Sequence, residues 1–274
     1  MGEQDFILKS EGEITQVSLP VKYGIIQTNM WNVRKIDGSV QILLGRNYME
    51  TKIEIESVDL KQKTIFGYPE YAIGHNLMVS PFNPKSIQLI SFPLTVEKFI
   101  KRDLKLYTKF STKRFYPSTL PFNISYDFWI RQNKENNDLP GESDCEIMIW
   151  LYRHIQYPIG KNEGYVYIDC RVNGKVERFK FFIWIGRGAK WLTISFVMDP
   201  EKQKQEISVE IPVSQFMEVS KKLMENSIEE QYIMGIELGS EFGDTDNLKM
   251  GLDWVLEEYE MREHSRKVNL LELK

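Results

Sequence analysis

Alternation at period two runs through most of this chain and constrains its fold more than any other feature. Gly164 to Val172 reads GYVYIDCRV and Phe179 to Ile185 reads FKFFIWI, with Gly, Pro, Asn or Asp between such segments. Successive side chains of a strand point to opposite faces, so these segments predict strands with one buried face each. Many strands without helices between them predict an all-β fold, a jelly-roll sandwich of two antiparallel sheets. One stretch departs from the pattern. From Pro212 to Asn226 the apolar residues Val213, Phe216, Met217, Leu223 and Met224 recur at three- and four-residue spacing behind a proline. That spacing predicts one amphipathic helix of about four turns. Arg131 to Ser143 reads as a polar loop, and Glu257 to Lys274 as a charged tail with no assigned structure.

No internal repeat or interdomain linker interrupts the chain, so residues 1–274 are expected to form a single domain, a size common for β-sandwiches. The formal net charge of −4 provides no electrostatic footprint for a phosphate backbone, which argues against a nucleic-acid partner. The N-terminus MGEQDFILKSEGE lacks a basic start and an apolar run, and no apolar stretch of about 18 residues marks a membrane segment. Three scattered histidines and two cysteines offer no zinc-ligand spacing, so neither metal nor cofactor is expected. Cys145 and Cys170 read more readily as buried free thiols than as a bridge, although strands paired as a hairpin could bring them opposite each other. A monomer is the default expectation.

The segment DCEIMIWL, Asp144 to Leu151, has two sharply different faces. Cys145, Ile147, Ile149 and Leu151 share a wholly apolar side, which must be the core side. Glu146, Met148 and Trp150 share the other, and an acid beside a thioether and an indole suggests a lined cleft. The alternative makes Glu146 a surface charge, but a solvated strand face seldom combines one acid with Met and Trp. Nearer the C-terminus, QYIMGIELGSEFG places Glu237, Gly239 and Glu241 on one face. A glycine between two acids marks a close approach by a ligand or another backbone, and suggests room for a sugar. Glycoside hydrolysis needs two carboxyl groups flanking the bond, and two strands of one sheet can bring them together.

These two segments resemble glycoside hydrolase family 12, which carries its nucleophile in an E-[LI]-M-[IV]-W strand and its acid/base in G-[TSF]-E. Glu146 to Trp150 matches the first, and Gly239, Ser240 and Glu241 the second, followed by Phe242 and Gly243 as in the family's thermophilic branch. Further matches keep the family's order. Asn29, Met30 and Trp31 resemble its N-x-W cleft strand, and Tyr68, Pro69 and Glu70 with Gly74 its YPE turn. Leu120, Pro121 and Phe122 lead to Tyr126 and Asp127, where the family has an acid beside the nucleophile. Pro158, Ile159 and Gly160 resemble its P-x-G loop. Two departures stand out: Phe242 replaces a common proline, and Asn76 and Leu77 stand where many members have an aromatic. The second leaves a cleft platform to another ring, Trp31 or Trp129.

The resemblance implies a concave substrate cleft and a secreted, retaining endo-β-1,4-glucanase acting on cellulose or a related β-glucan. Glu146 would attack the anomeric carbon, while Glu241 protonates the leaving oxygen and then activates water. Asp127 would orient Glu146 by hydrogen bonding, Met148 would support the same strand face, and Glu237 would hold a neighbour. Asn29 would bind the nucleophile or a sugar hydroxyl. Trp31 and Trp150 would stack on sugars, with Pro158 and Gly160 bordering the cleft. Trp129, Trp184, Trp191 and Trp254 stay open between core and cleft, as do Tyr126 and Tyr152. The alternative from another class is a non-catalytic β-glucan-binding module on the same kind of sandwich. Such a module has no use for two acids at these positions.

Overall fold

The computed structural model describes residues 6–14, 17–62, 65–74, 89–135, 139–188, 190–224, 228–243 and 249–272. The alternating segments become strands in two layers. The outer layer runs, in pairing order, through Phe6–Glu13, Val33–Leu44, Met49–Leu60, Met250–Glu263, Leu104–Tyr116 and Glu206–Pro212. The inner layer runs through Ser18–Pro20, Ile25–Gln27, Glu70–Gly74, Gly235–Gly239, Phe122–Arg131, Cys145–His154, Leu192–Met198, Lys175–Arg187 and Lys161–Val172. The layers meet where Arg171 and Val172 pair with Glu210 and Val209. The architecture is a jelly-roll-like sandwich, as the alternation predicts.

One pairing departs from that expectation. Cys145–Trp150 runs parallel to Leu192–Val197, because the chain between them leaves to build the long hairpin of residues 161–187 and re-enters from the same end. All other inner-layer pairings named above are antiparallel.

Burial follows the two-face rule. Ile147, Ile149 and Leu151 of the central strand lie in the core with Ile124, Phe128, Phe196 and Trp254. Cys145 and Cys170 are buried free thiols. Their strands are separated by two others, so the hairpin that could have bridged them does not form.

The expected helix spans Val213–Leu223, with Pro212 at its N-cap and Asn226 outside the described residues. It buries Val213, Phe216 and Met217, and the Phe216 ring meets Phe181 and Phe196 edge-on at 4.9 and 5.2 Å. A second helix, Val96–Lys101, is unforeseen. Thr95 caps it by accepting from the Lys98 amide, and its single turn and a half leaves too short a pattern to read.

The segment from Glu257 is also structured: residues up to Glu263 finish a long strand, and Arg266–Asn269 fold back on it. A bulge between Leu256 and Glu258 moves the buried parity from Trp254 and Leu256 to Tyr259 and Met261, which breaks the alternation that would have revealed the strand. Glu260, on the other face, is covered by its ion pairs with Arg262 and Lys267. The polar loop is displaced by one residue, to lie between strands ending at Arg131 and starting at Cys145, and Arg131 donates a buried hydrogen bond to Asp144 at 3.0 Å.

Candidate active site

The inner sheet's free face carries the residues that the core rejects. On Phe122–Arg131 the parity turned away from the core holds Asn123, Ser125, Asp127 and Trp129, themselves buried at the cleft floor, while Ile124, Tyr126, Phe128 and Ile130 enter the core. Asp127 lies opposite Met148 on one side and Glu237 on the other. Two hollows open on this face. One, of about 280 Å³, is lined by Asn29, Trp31, Tyr68, Asp127, Trp129, Trp191 and Glu237 among others. The second, about 400 Å³, is lined by Met148, Trp150, Gln156, Tyr157, Pro158 and Thr193 among others. Glu146, Glu241, Ile65 and Ile159 line both, so the two carboxyl groups stand where the hollows meet.

Glu146 and Glu241 are held differently. Glu146 Oε2 accepts from Trp191 Nε1 at 3.1 Å and from Thr193 Oγ1 at 3.0 Å. Burial pushes this carboxyl up from its ordinary range, and those two donors oppose the shift. Glu241 sits between the end of Gly235–Gly239 and the short strand Phe242–Gly243, where its Oε2 accepts from Asn123 Nδ2 at 2.6 Å and Gln156 Nε2 at 2.8 Å. Reciprocal backbone contacts fix it further: the Asn123 amide donates to the Glu241 carbonyl, and the Glu241 amide to Asn123 Oδ1. From behind, the buried Trp254 indole donates to Ser240 Oγ at 3.1 Å. Burial, and then the charge of Glu146, push the Glu241 carboxyl up to about 7.

Three more acids lie beneath the first hollow. Glu70 is fully buried; its Oε1 accepts from Asn29 Nδ2 at 2.6 Å and from Gln27 Nε2. Glu237 is hydrogen-bonded to Glu70. A bond between two carboxyl groups needs a proton on one of them, and the two amide donors favour charge on Glu70. Glu237 accordingly holds the proton, and burial, followed by the charges of Glu70 and Asp127, pushes it well up. Asp127 is also pushed well up, by burial and then by Glu146 and Glu241.

Several expectations change at this point. Asp127 does not hydrogen-bond Glu146; it accepts from Ser125 Oγ at 3.1 Å, and two neighbouring acids that share a face repel when both are ionised. Asn29 holds Glu70 instead of Glu146, from a backbone with φ of 36° that asparagine tolerates. A Cβ on Gly239 would strike the Pro69 carbonyl and approach Glu70 Cβ to 2.9 Å, so the glycine makes room for the YPE turn and not for a sugar. Trp150 is 2% exposed and packs with Met148, Val197 and Trp184 as floor, donating to Met148 Sδ at 3.5 Å.

Trp31, 43% exposed, stands at the rim of the first hollow. Trp129 and Trp191 pack edge-on at 5.2 Å beneath it. Pro158 and Ile159 border the second hollow, and Gly160 turns the chain there with φ of 93°. Asn76 and Leu77 lie outside the described residues. Trp191, open between core and cleft in the sequence, proves to be a donor to Glu146, whereas the sequence does not single out Thr193, Asn123 and Gln156. The alternation of WLTISFVM and FNISYDFWI placed Trp191, Thr193 and Asn123 on the cleft face; Gln156 lies in a loop with no such signal.

Together these features define a jelly-roll protein with paired carboxyl groups in a cleft across its inner sheet. The family model for Glycosyl hydrolase family 12 matches residues 22–259. The chain belongs to that family and is a glycoside hydrolase. No curated protein matches it by sequence. Among solved structures it is similar to a thermostable cellulase derived from the Cel12A cellulase of Rhodothermus marinus, at 16% identity and a TM-score of 0.65, covering 94% of this chain and 99% of that one. The native family 12 xyloglucanase of Bacillus licheniformis gives 17% identity and 0.64, over 94% and 100%. Endoglucanase 3 of Trichoderma harzianum gives 18% and 0.63, over 96% and 97%.

Proposed function

We propose that the chain is a retaining endo-β-1,4-glucanase, with Glu146 as nucleophile and Glu241 as general acid and base. The carrying observation is the contrast between the two carboxyl groups at the junction of the hollows. Glu146 accepts two side-chain donors that favour its anion, the form that attacks carbon. Glu241 is pushed up to about 7, so near neutrality it keeps a proton for the leaving oxygen. The charge of Glu146 contributes to that rise. Once Glu146 is esterified the charge is gone, Glu241 becomes the stronger acid, and its anion can activate water for the second displacement.

The remaining residues support these roles. Glu237, hydrogen-bonded to Glu70 through its proton, adds no charge beside Glu146, Asp127 is pushed well up by burial and by the charges of Glu146 and Glu241, and Met148 and Trp150 form a firm floor. Asn29 fixes Glu70, Trp31 offers a ring face to a sugar, and Pro158 and Gly160 shape the opposite rim. The family model spans most of the chain, which supports one catalytic domain. A polymeric β-glucan as substrate supports the reading of a secreted enzyme.

The test is hydrolysis of carboxymethylcellulose, barley β-glucan and xyloglucan by the unaltered protein, Glu146→Ala and Glu241→Ala, with thermal melts alongside. The anomer first released is read by proton NMR. Activity lost in both variants at near-normal melting, with the β-anomer released first, supports the reading. Binding without release of reducing ends, or first release of the α-anomer, overturns it.

A further inference from the structure

The inner sheet does not end at the carboxyl groups. Its register carries the cleft face across three more strands, pairing Trp150 with Val197, Val197 with Phe182, and Phe182 with Tyr165. Tyr167 follows on the same face, opposite Lys180. The other parity, with Ile168, Cys170, Phe179 and Phe181, is buried in the core. Polar residues are the expected occupants of a free face on an outlying hairpin. Here it carries tyrosines, Tyr165 57% and Tyr167 48% exposed, with ring centroids 5.4 Å apart.

The same sheet face leads back to the second hollow. Tyr157, 67% exposed, lines that hollow and lies 6.2 Å from the Trp184 ring. Trp184 packs against the cluster of Met148, Trp150 and Val197. Lys180 Nζ then lies over both Phe182, at 4.6 Å, and Tyr165, at 5.8 Å, and Arg178 over Tyr167 at 5.1 Å. From the strand of Glu146 to that of Tyr165 is three strand spacings, roughly 14 Å. Among the described residues, Lys161–Val172 pairs on its outer side only through Arg171 and Val172, so the face is open at that edge.

We propose that Tyr157, Tyr165 and Tyr167 form an outer binding strip for a β-1,4-glucan chain that continues beyond the second hollow. The strip rests on the glucanase reading and extends it to chain length. A pyranose offers an apolar C–H face to an aromatic ring and hydroxyls at its edge, and here the phenols, Lys180 and Arg178 stand beside the rings. A protein partner would require a broad patch of standard interface size; this one is a narrow row continuous with the cleft.

The experiment titrates Glu146→Gln protein with cellotriose and cellohexaose, with and without Tyr165→Ala/Tyr167→Ala. The double substitution weakens cellohexaose binding about tenfold and leaves cellotriose binding unchanged, since two stacked rings are lost only to the longer chain. A leucine pair, Tyr165→Leu/Tyr167→Leu, keeps apolar bulk and gives the same result should the alanine pair melt early. Equal weakening for both sugars, no change for cellohexaose, or no binding of cellohexaose to the parent overturns the strip. Hydrolysis by the unaltered protein is scored separately. If it cuts no glucan yet shows this length dependence, the catalytic reading fails and the strip stands; if it cuts but the tyrosines make no difference, only the strip fails.

Discussion

The two sides of the strand Cys145–His154 share a backbone and obey opposite rules. Toward the core, Cys145, Ile147, Ile149 and Leu151 are completely buried among other apolar groups, and nothing on that side ionises in the ordinary range. Toward the cleft, Glu146 is surrounded by donors and by other acids, several of them with their protons held by burial and by one another's charge. The core side is stabilised by removal of apolar area from water. The cleft side carries buried carboxyl groups at a cost in stability, because burial disfavours their charged forms. The difference teaches that one strand can divide its labour by parity: stability depends on odd-numbered positions and chemistry on even-numbered ones.

Substitutions one residue apart should break or sharpen that division. The largest effect is expected for Glu146→Ala, which should lower kcat/KM on soluble β-glucan by on the order of 10⁴-fold while leaving the melting midpoint close to the parent's. Its neighbour Ile147→Ala should do the reverse, costing about 2–5 kcal/mol in denaturant unfolding while the folded fraction keeps its turnover. If Glu146→Ala unfolds the protein, or Ile147→Ala abolishes turnover without loss of stability, the division by parity fails.

A third substitution reads the cost of the buried acids. Glu237 holds its proton in the folded state well above the ordinary carboxylate range, whereas in the unfolded chain it ionises near the ordinary value of about 4.3. The folded state therefore loses relative stability as pH rises above that ordinary value toward the folded one. Glu237→Gln is neutral throughout and can still donate to Glu70. It should melt higher than the parent at pH 7, by about 2–4 °C for each kcal/mol recovered, with the advantage shrinking toward pH 4. An advantage that is the same at both pH values would mean that the proton is not held at Glu237.

How much of this was legible beforehand follows from the same physics. Alternation is a local signal, so the sandwich, the faces of DCEIMIWL and the acids of IELGSE could be read directly. The short helix Val96–Lys101 and the bulged strand through Tyr259 could not, since a single turn or one extra residue erases the period. The site divides in a similar way. The residues on regular strands sat at readable positions, but which donor serves which acid depends on pairing across the sheet. Trp191 and Thr193 reach Glu146 only because a parallel neighbour was placed there, and Gln156 reaches Glu241 from a loop. Gly239 was legible as a close approach but not as an approach by Pro69.

The smallest expected effect separates the two carboxyl groups themselves. Gln156 Nε2 donates to Glu241 Oε2, and a donor favours the charged form, so it holds the carboxyl lower than burial and Glu146 alone would. Gln156→Ala removes that donor, and the alkaline limb of kcat/KM, set near 7 by loss of the Glu241 proton, should move up by as much as about one pH unit. Thr193→Val removes a donor from Glu146 and should move the acid limb up instead, because more of the nucleophile then stays protonated at a given pH. The two variants thus act on opposite flanks of one profile. If Gln156→Ala moves the acid limb and Thr193→Val the alkaline one, the roles of Glu146 and Glu241 are exchanged; if each moves both limbs equally, the two groups titrate as one coupled pair and neither role belongs to a single residue.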